Sequence, residues 1–283
     1  LTGTKQIKML GLTSPYIQIV QENIPNIRGA AQTYGLTFTP GTWVESIQIT
    51  KGAGSVVNGY ESITGQINAE LVKPSTDKNV FINAYSSLNG RFELNTHFNT
   101  KVSDNWDTGL YLHGNLRDKK IDENNDNFLD APLTKQVNIM NRWQYTNAEK
   151  GWIGFLNLRY LTDDKSTGEL DFNPDIHKNS TLFWGSEIAT ERFETSAKLG
   201  YVFPELPYKT FGLQVAYSYH NQDSYFGLKE YEINHKSVYA NLIYNSIISD
   251  TRNKFATGIS TTFDNFDELV LTNNYKRNEK SVG

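Results

Sequence analysis

The chain has 283 residues, 27 Lys and Arg against 31 Asp and Glu, five histidines and no cysteine. The lack of cysteine excludes a disulfide framework and a thiolate metal site, and the mixed, slightly acidic charge leaves no footprint for nucleic acid. No apolar run approaches the length of a membrane helix. Aromatics nevertheless make up 13% of a chain of negative mean hydropathy, which suits strands with one apolar and one polar face and leaves a membrane barrel open.

Residues 5–12 and 16–22 are predicted as two short strands around the turn signal Thr13-Ser14-Pro15, the second running into Asn23-Ile24-Pro25. Residues 26–42 form a glycine-rich connector. Within it Arg28 has two readings: an exposed loop arginine, which is the default, or a contact to the domain that follows. From residue 43 to 71 the pattern is two strands around a glycine turn, with Val44, Ile47 and Ile49 before it and an apolar run from Ile63 after it. Gly52 and Gly54 permit positive φ and close backbone approach in that turn. A phosphate cradle is disfavoured, because Gly52, Gly54 and Gly59 lack the dinucleotide spacing and no Gly-Lys-Ser/Thr follows. Lys73-Pro74-Ser75-Thr76-Asp77 breaks the pattern, which divides the chain into residues 1–76 and 77–283.

Beyond that boundary the period is two. Phe92, Leu94, Thr96 and Phe98 alternate with Glu93, Asn95, His97 and Asn99; Trp106, Leu110 and Leu112 oppose Asp107, Tyr111 and His113; Val137, Ile139, Trp143 and Tyr145 oppose Asn138, Arg142 and Gln144. Further strands are predicted at 80–86, 152–160, 193–203, 211–220, 238–248 and 255–263, which makes nine. Connections alternate between short ones (102–105, 146–151, 204–208, 249–253) and mostly long ones (116–134, 162–180, 221–236). That asymmetry belongs to outer-membrane barrels rather than to sandwiches. The expected lipid-facing residues are Phe92, Phe98, Leu110, Trp143, Leu199, Phe211 and Phe263. Trp106, Trp143, Tyr145, Trp152, Tyr201 and Phe203 stand near strand ends, where an interfacial girdle would be. Residues 265–283 read as an outer loop ahead of a further strand.

Val44-Glu45-Ser46-Ile47, Lys51-Gly52, Ser55, Asn58-Gly59-Tyr60 and Ile63-Thr64-Gly65-Gln66-Ile67-Asn68 resemble the end of the plug domain of TonB-dependent outer-membrane receptors. Glu45, Lys51, Gly52, Gly54, Gly59 and Gly65 are the plug-motif positions, and Ala53 and Asn58 depart from the family pattern. The resemblance implies a mainly all-β chain: a small α+β plug remnant, then antiparallel strands of a transmembrane β-barrel, running from mid-plug to mid-barrel. It implies a receptor and transporter, not an enzyme, in the outer membrane of a Gram-negative bacterium. Its partners would be outer-membrane lipid, the TonB energy-coupling complex acting through a segment upstream of residue 1, and a scarce solute. That solute would be an iron chelate, cobalamin, another metal complex, an oligosaccharide or a peptide. The rival reading is a non-transporting barrel that serves as a binding or scaffold subunit for an envelope partner protein.

One loop carries metal-binding chemistry. Asp122, Asn124, Asp126 and Asp130, with the backbone carbonyl of Phe128, place oxygens at the alternate positions that a loop curling around Ca²⁺ requires. Asn127 occupies the turn-glycine position, which asparagine tolerates in αL, and Leu133 stands where a bidentate Glu would be. The alternative is a solvated Asp/Asn turn. No other cofactor is required. The histidines His97, His113, His177, His220 and His235 show no paired metal-ligand spacing; His97, His113 and His220 fall on inward faces, where a polar lumen accounts for them. No nucleophile–base–acid arrangement can be argued from spacing.

Overall fold

The computed structural model describes residues 3–54, 57, 59 and 61–283. Its N-terminal part is a four-stranded mixed sheet of β1 (Ile17–Gln21), β2 (Ile24–Pro25), β3 (Val44–Lys51) and β4 (Gly65–Leu71), in the order β2-β1-β4-β3. β1 runs parallel to β4, in register from Ile17 with Gly65 to Gln21 with Ala69. A parallel pair needs a long crossover, and residues 22–64 supply it through three short 3-10 turns and β3. Residues 5–12 do not form the expected strand. Both edges of β1 are taken by β2 and β4, so this segment closes only on itself, as a bridge between Met9 and Leu12.

The rest of the chain is one curved antiparallel sheet in strict sequence order. Its strands are β5 (Val80–Ser86), β6 (Arg91–Ser103), β7 (Trp106–Arg117), β8 (Leu133–Asn147), β9 (Trp152–Gly168), β10 (Gly185–Val202), β11 (Thr210–Phe226), β12 (Lys229–Ile248), β13 (Asp250–Val270) and β14 (Asn273–Val282). A single helical turn, α1 (Pro174–His177), lies in the β9–β10 connection. Among the described residues no helix is long and apolar enough to cross a membrane.

The sheet has ten strands, not nine, and two segments expected as loops are strands. Residues 221–236 form the far end of the β11–β12 hairpin, which turns at Gly227 (φ 61°) and Leu228, and residues 265–283 complete β13 and make β14. The physical reason is common to both. Outward residues such as Asn221, Asp223, Asn265 and Asp267 are polar, so the apolar alternation that marks a strand stops although the backbone ladder continues. β12 and β13 reach 20 and 21 residues, about twice the 9–11 needed to cross a bilayer.

The two faces of this sheet are inverted relative to a soluble protein. Phe92, Phe98, Leu110, Leu199, Phe211 and Phe263 point outward and are 39–49% exposed. Trp143 is half-buried, edge-on to Trp106 at 6.3 Å. Asn95, His97, Asn99, Asn138, Arg142, Arg159 and His220 point inward and are buried. So large an exposed apolar face suits lipid rather than water, since each such side chain gains about 1.5–3 kcal/mol on leaving water. Aromatic rings mark one border of the lipid band: Trp106 meets Tyr145, and Trp152, Tyr201, Phe203, Phe211, Tyr244 and Phe255 follow in successive contacts of 4.6–6.0 Å. Tyr160, Phe193 and Tyr219, adjacent in register on β9, β10 and β11, stand on the same outer face toward the far ends of these strands.

The N-terminal unit packs against the inner face. Ala31, Tyr34 and Phe38 bury against Leu161 and Ile188, with Phe226 at the margin. Trp43 and Leu71 bury against Tyr111 and Met140.

Candidate functional site

These two apolar contacts are small, and most of the interface between the N-terminal unit and the wall is polar. The strand period places one inward side chain at every second residue, so β8, β9 and β10 aim Arg142, Arg159 and Arg192 at the enclosed unit. Arg142, 0% exposed, donates to Glu22 Oε1 at 2.6 Å and to the carbonyl of Val72 at 2.9 Å. Arg159 donates to Asn138 at 3.0 Å, to the Phe38 carbonyl and to Glu194 at 3.1 Å. Arg192 donates to Glu194 at 2.7 Å and to the Asn26 carbonyl at 3.1 Å. Asn138 donates to the Phe38 carbonyl at 2.7 Å, and Lys198 to the Glu22 carbonyl at 2.9 Å.

A second network lies across β12 and β13. Arg28 is not the exposed loop residue of the default reading; its side chain is only 11% exposed, with its guanidinium shared between Glu61 at 2.8 Å and Asp264 of β13 at 2.7 Å. Burial alone would lower its pKa, but the two carboxylates outweigh that and hold it above the ordinary arginine value. Asp264 also contacts His235 Nε2 at 2.9 Å, and the His235 ring stacks on Phe266 at 4.1 Å. The next residue, Gly29 (φ 55°), passes so close that a Cβ there would sit 2.6 Å from His235 Cε1. Only glycine fits.

No protein-family model and no curated protein matches the chain in sequence. Solved structures do match. The pyoverdine receptor FpvA of Pseudomonas aeruginosa aligns with a TM-score of 0.74 at 12% identity, over 98% of this chain and 41% of its own. The siderophore receptor PiuA of Acinetobacter baumannii gives 0.69 at 15% identity, over 95% and 41%. The copper transporter OprC gives 0.68 at 14% identity, over 99% and 46%. The chain has the plug-and-barrel fold of TonB-dependent outer-membrane receptors. In that fold the N-terminal unit corresponds to part of the plug and the ten-stranded sheet to part of the barrel wall, with the apolar band on the wall's outer face. The chain spans about two fifths of the length of these receptors.

The described plug-motif residues are spread over β3, the turn that follows it and the start of β4. Glu45 pairs with Lys73 at 3.3 Å on the surface, where such a pair contributes little, and Lys51 is exposed. Gly52 (φ 90°) and Gly59 (φ 109°) adopt left-handed backbone. Gly54 does not have positive φ; it is instead a close-approach position, where a Cβ would lie 2.4 Å from Ser62 Oγ. Gly65 likewise abuts Met9. The motif residues Ser55, Asn58 and Tyr60 lie outside the described residues.

The acidic loop is curled, with Asn125 and Asn127 in αL (φ 57° and 65°). Asp122 accepts from the backbone N–H of Asp126 and Asn127, Asp126 from that of Phe128, and Asp130 from that of Glu123. The loop is fastened to the β9–β10 connection by Leu129 N–H to the Gly168 carbonyl and Leu170 N–H to the Asn127 carbonyl. Among the described residues no three of His, Asp and Glu are grouped to hold a metal ion.

His97 lies 2.9 Å from Asp77 and His113 lies 2.7 Å from Asn95, both as lumen-facing polar residues. His177 ends α1. The functional residues that sequence reasoning missed are Glu22, Arg159, Arg192, Glu194, His235 and Asp264. Charged residues at inward positions of Arg159 and Arg192 were the available signal, but their partners lie on other strands or in the plug.

Proposed function

We propose that the chain is the C-terminal part of the plug and the first ten wall strands of an outer-membrane receptor that imports a scarce metal chelate. An inner-membrane energy-coupling complex would pull on the plug to open the lumen. The observation that carries this reading is the nature of the plug–wall contact: ion pairs and hydrogen bonds with only two small apolar clusters. Such an interface holds a plug in one orientation, and water entering the lumen can replace its bonds one by one as the plug shifts. A large dry core would resist that. The names of the aligned receptors favour iron and copper complexes among the solute classes, since one is a pyoverdine receptor, one a siderophore receptor and one a copper transporter.

The scaffold reading differs in needing no plug movement. Cells expressing or lacking the full-length receptor would be given labelled ferric chelates and copper, with and without dissipation of the inner-membrane proton gradient. Receptor-dependent accumulation that stops on dissipation is the expected result. Equal accumulation in both strains for every solute offered would favour a scaffold for an envelope partner.

A further inference from the structure

The outer face of the wall is not smooth. Between β7 and β11, beside the aromatic border at the end where the connections are short, it carries a groove of about 720 Å³. That volume is within the range of about 300–1,000 Å³ that holds one small molecule. The side chains that shape it stand on the outward face in two neighbouring rows. Tyr145, Gly154, Leu199 and Leu213 are in register across β8 to β11. Trp143, Leu156, Ala197 and Val215 form the next row.

The floor is low because Gly154 and Ala197, diagonal neighbours on β9 and β10, bring almost no side chain to a face made of leucines and aromatics. Backbone geometry does not ask for glycine here. Gly154 does not have positive φ, and a Cβ on it would meet Lys198 O, Leu199 Cδ1 and Tyr145 Cβ at ordinary distances of 3.6–3.7 Å. A glycine inside a strand weakens it, and often marks a place where a ligand approaches closely. One side of the groove is held in place. Trp143 Nε1 donates to Asn141 Oδ1 at 2.7 Å, and Asn141 Nδ2 donates to the Gly109 carbonyl at 3.0 Å. An indole near a membrane border ordinarily turns its N–H toward headgroups and water. This one directs it into the wall, which fixes the ring as the side of the groove, with Trp106 edge-on to it at 6.3 Å.

A dent left empty in a lipid-facing wall loses dispersion contacts. Lipid tails are as apolar as leucine, so shape decides what fills it. The bed of the groove is apolar, and its polar side-chain atoms, the Tyr145 hydroxyl and the Trp106 N–H, belong to the border ring where headgroups lie. An acyl chain descending from a headgroup has that same order of chemistry. The short connections face the periplasm, which selects the inner leaflet. We propose that this groove seats one acyl chain of a phospholipid in the periplasmic leaflet. The seat needs only the membrane wall and does not rest on the transport reading.

The test titrates the purified protein in detergent with phosphatidylethanolamine brominated near the carboxyl end of its acyl chains. Bromine quenches tryptophan on contact, and Trp106 and Trp143 wall the groove. Quenching that saturates at one lipid per chain is expected, with one lipid retained in native mass spectra. Ala197→Phe fills the floor and should abolish both the saturable quenching and the retained lipid at unchanged Tm. Gly154→Leu, whose first side-chain atom has room, should do the same even if Ala197→Phe does not fold. Quenching that rises without saturation, equally in the wild type and in a folded variant, would reduce the groove to ordinary contact with bulk lipid and overturn the proposal. A lipid-free dimer that either variant disperses would overturn it as well, by giving the groove to a second copy of the chain.

Discussion

Arg28 shows how one side chain fastens the plug. It reaches from a loop of the plug to Asp264, 236 positions further along the chain, and removing it leaves Asp264 buried with His235 as its remaining close ionic partner. Breaking a buried pair from one side costs about 3–5 kcal/mol. Arg28→Ala is therefore expected to loosen the plug by about that much, read as earlier urea unfolding and faster protease cleavage within residues 1–76. Arg28→Ala combined with Asp264→Ala should cost less than the two separate losses added together, because the double variant no longer strands buried Asp264 and leaves only the more exposed Glu61 without its partner. Additive losses would mean the pair is not coupled. Gly54 makes a different residue-scale case. Its value is space rather than φ, so Gly54→Val should destabilise the plug through the clash with Ser62, and Ser62→Gly should restore part of the loss.

At the scale of elements, the strands divide into a part in lipid and a part beyond it. On β9 the aromatic positions Trp152 and Tyr160 bracket a stretch of the length a tilted strand needs to cross. Leu156 sits midway on the outer face and is 40% exposed. Leu156→Arg should cost about 2–4 kcal/mol of barrel stability in bilayers, the penalty for a cation at the membrane midplane. Asp267→Arg, on the outer face of the β13 extension, should cost far less apart from its pair with Lys276. Equal losses would place the lipid band elsewhere. The loop at 122–130 is an element of its own. Four carboxylates, those of Asp122, Glu123, Asp126 and Asp130, crowd a short segment, and Ca²⁺ accepts such oxygens in loose geometry. In the structure the three aspartates accept from the loop's own N–H groups and the carboxylates are not grouped for a metal; we propose that calcium binds weakly by drawing them together, expected as protection of residues 118–132 from protease in calcium relative to chelator. Equal cleavage would leave an ordinary solvated turn held by its own backbone.

For the whole molecule, plug and wall depend on each other for charge. Arg142 and Lys198 find their partners in the plug, at Glu22, and Arg28 of the plug finds Asp264 in the wall. The protein lacking residues 1–72 is therefore expected to form its wall around a hydrated interior. Its Tm should be several degrees lower, and its ion conductance in planar bilayers should be large where the intact protein has little. An unchanged Tm would show that the wall does not draw stability from the plug.

Much of this architecture is local and so was legible in the amino-acid order. Alternation of Phe92, Leu94 and Phe98 with Glu93, Asn95 and His97 sets which face meets lipid, because a strand has a period of two whatever surrounds it. The glycines of residues 52–59 mark the turn between β3 and β4, and aromatics at strand ends mark the border of the lipid band. What local pattern could not carry was the length of β11 to β14, since the outward face turns polar beyond the aromatic band and a strand without an apolar outer face reads like a loop. The pairing of the buried charges was equally hidden. Arg28 and Asp264, Arg142 and Glu22, and Arg192 with the Asn26 carbonyl are far apart in sequence and meet only when the wall curves around the plug. Their partners are chosen by register and curvature, which are properties of the assembled sheet and not of any short stretch of chain.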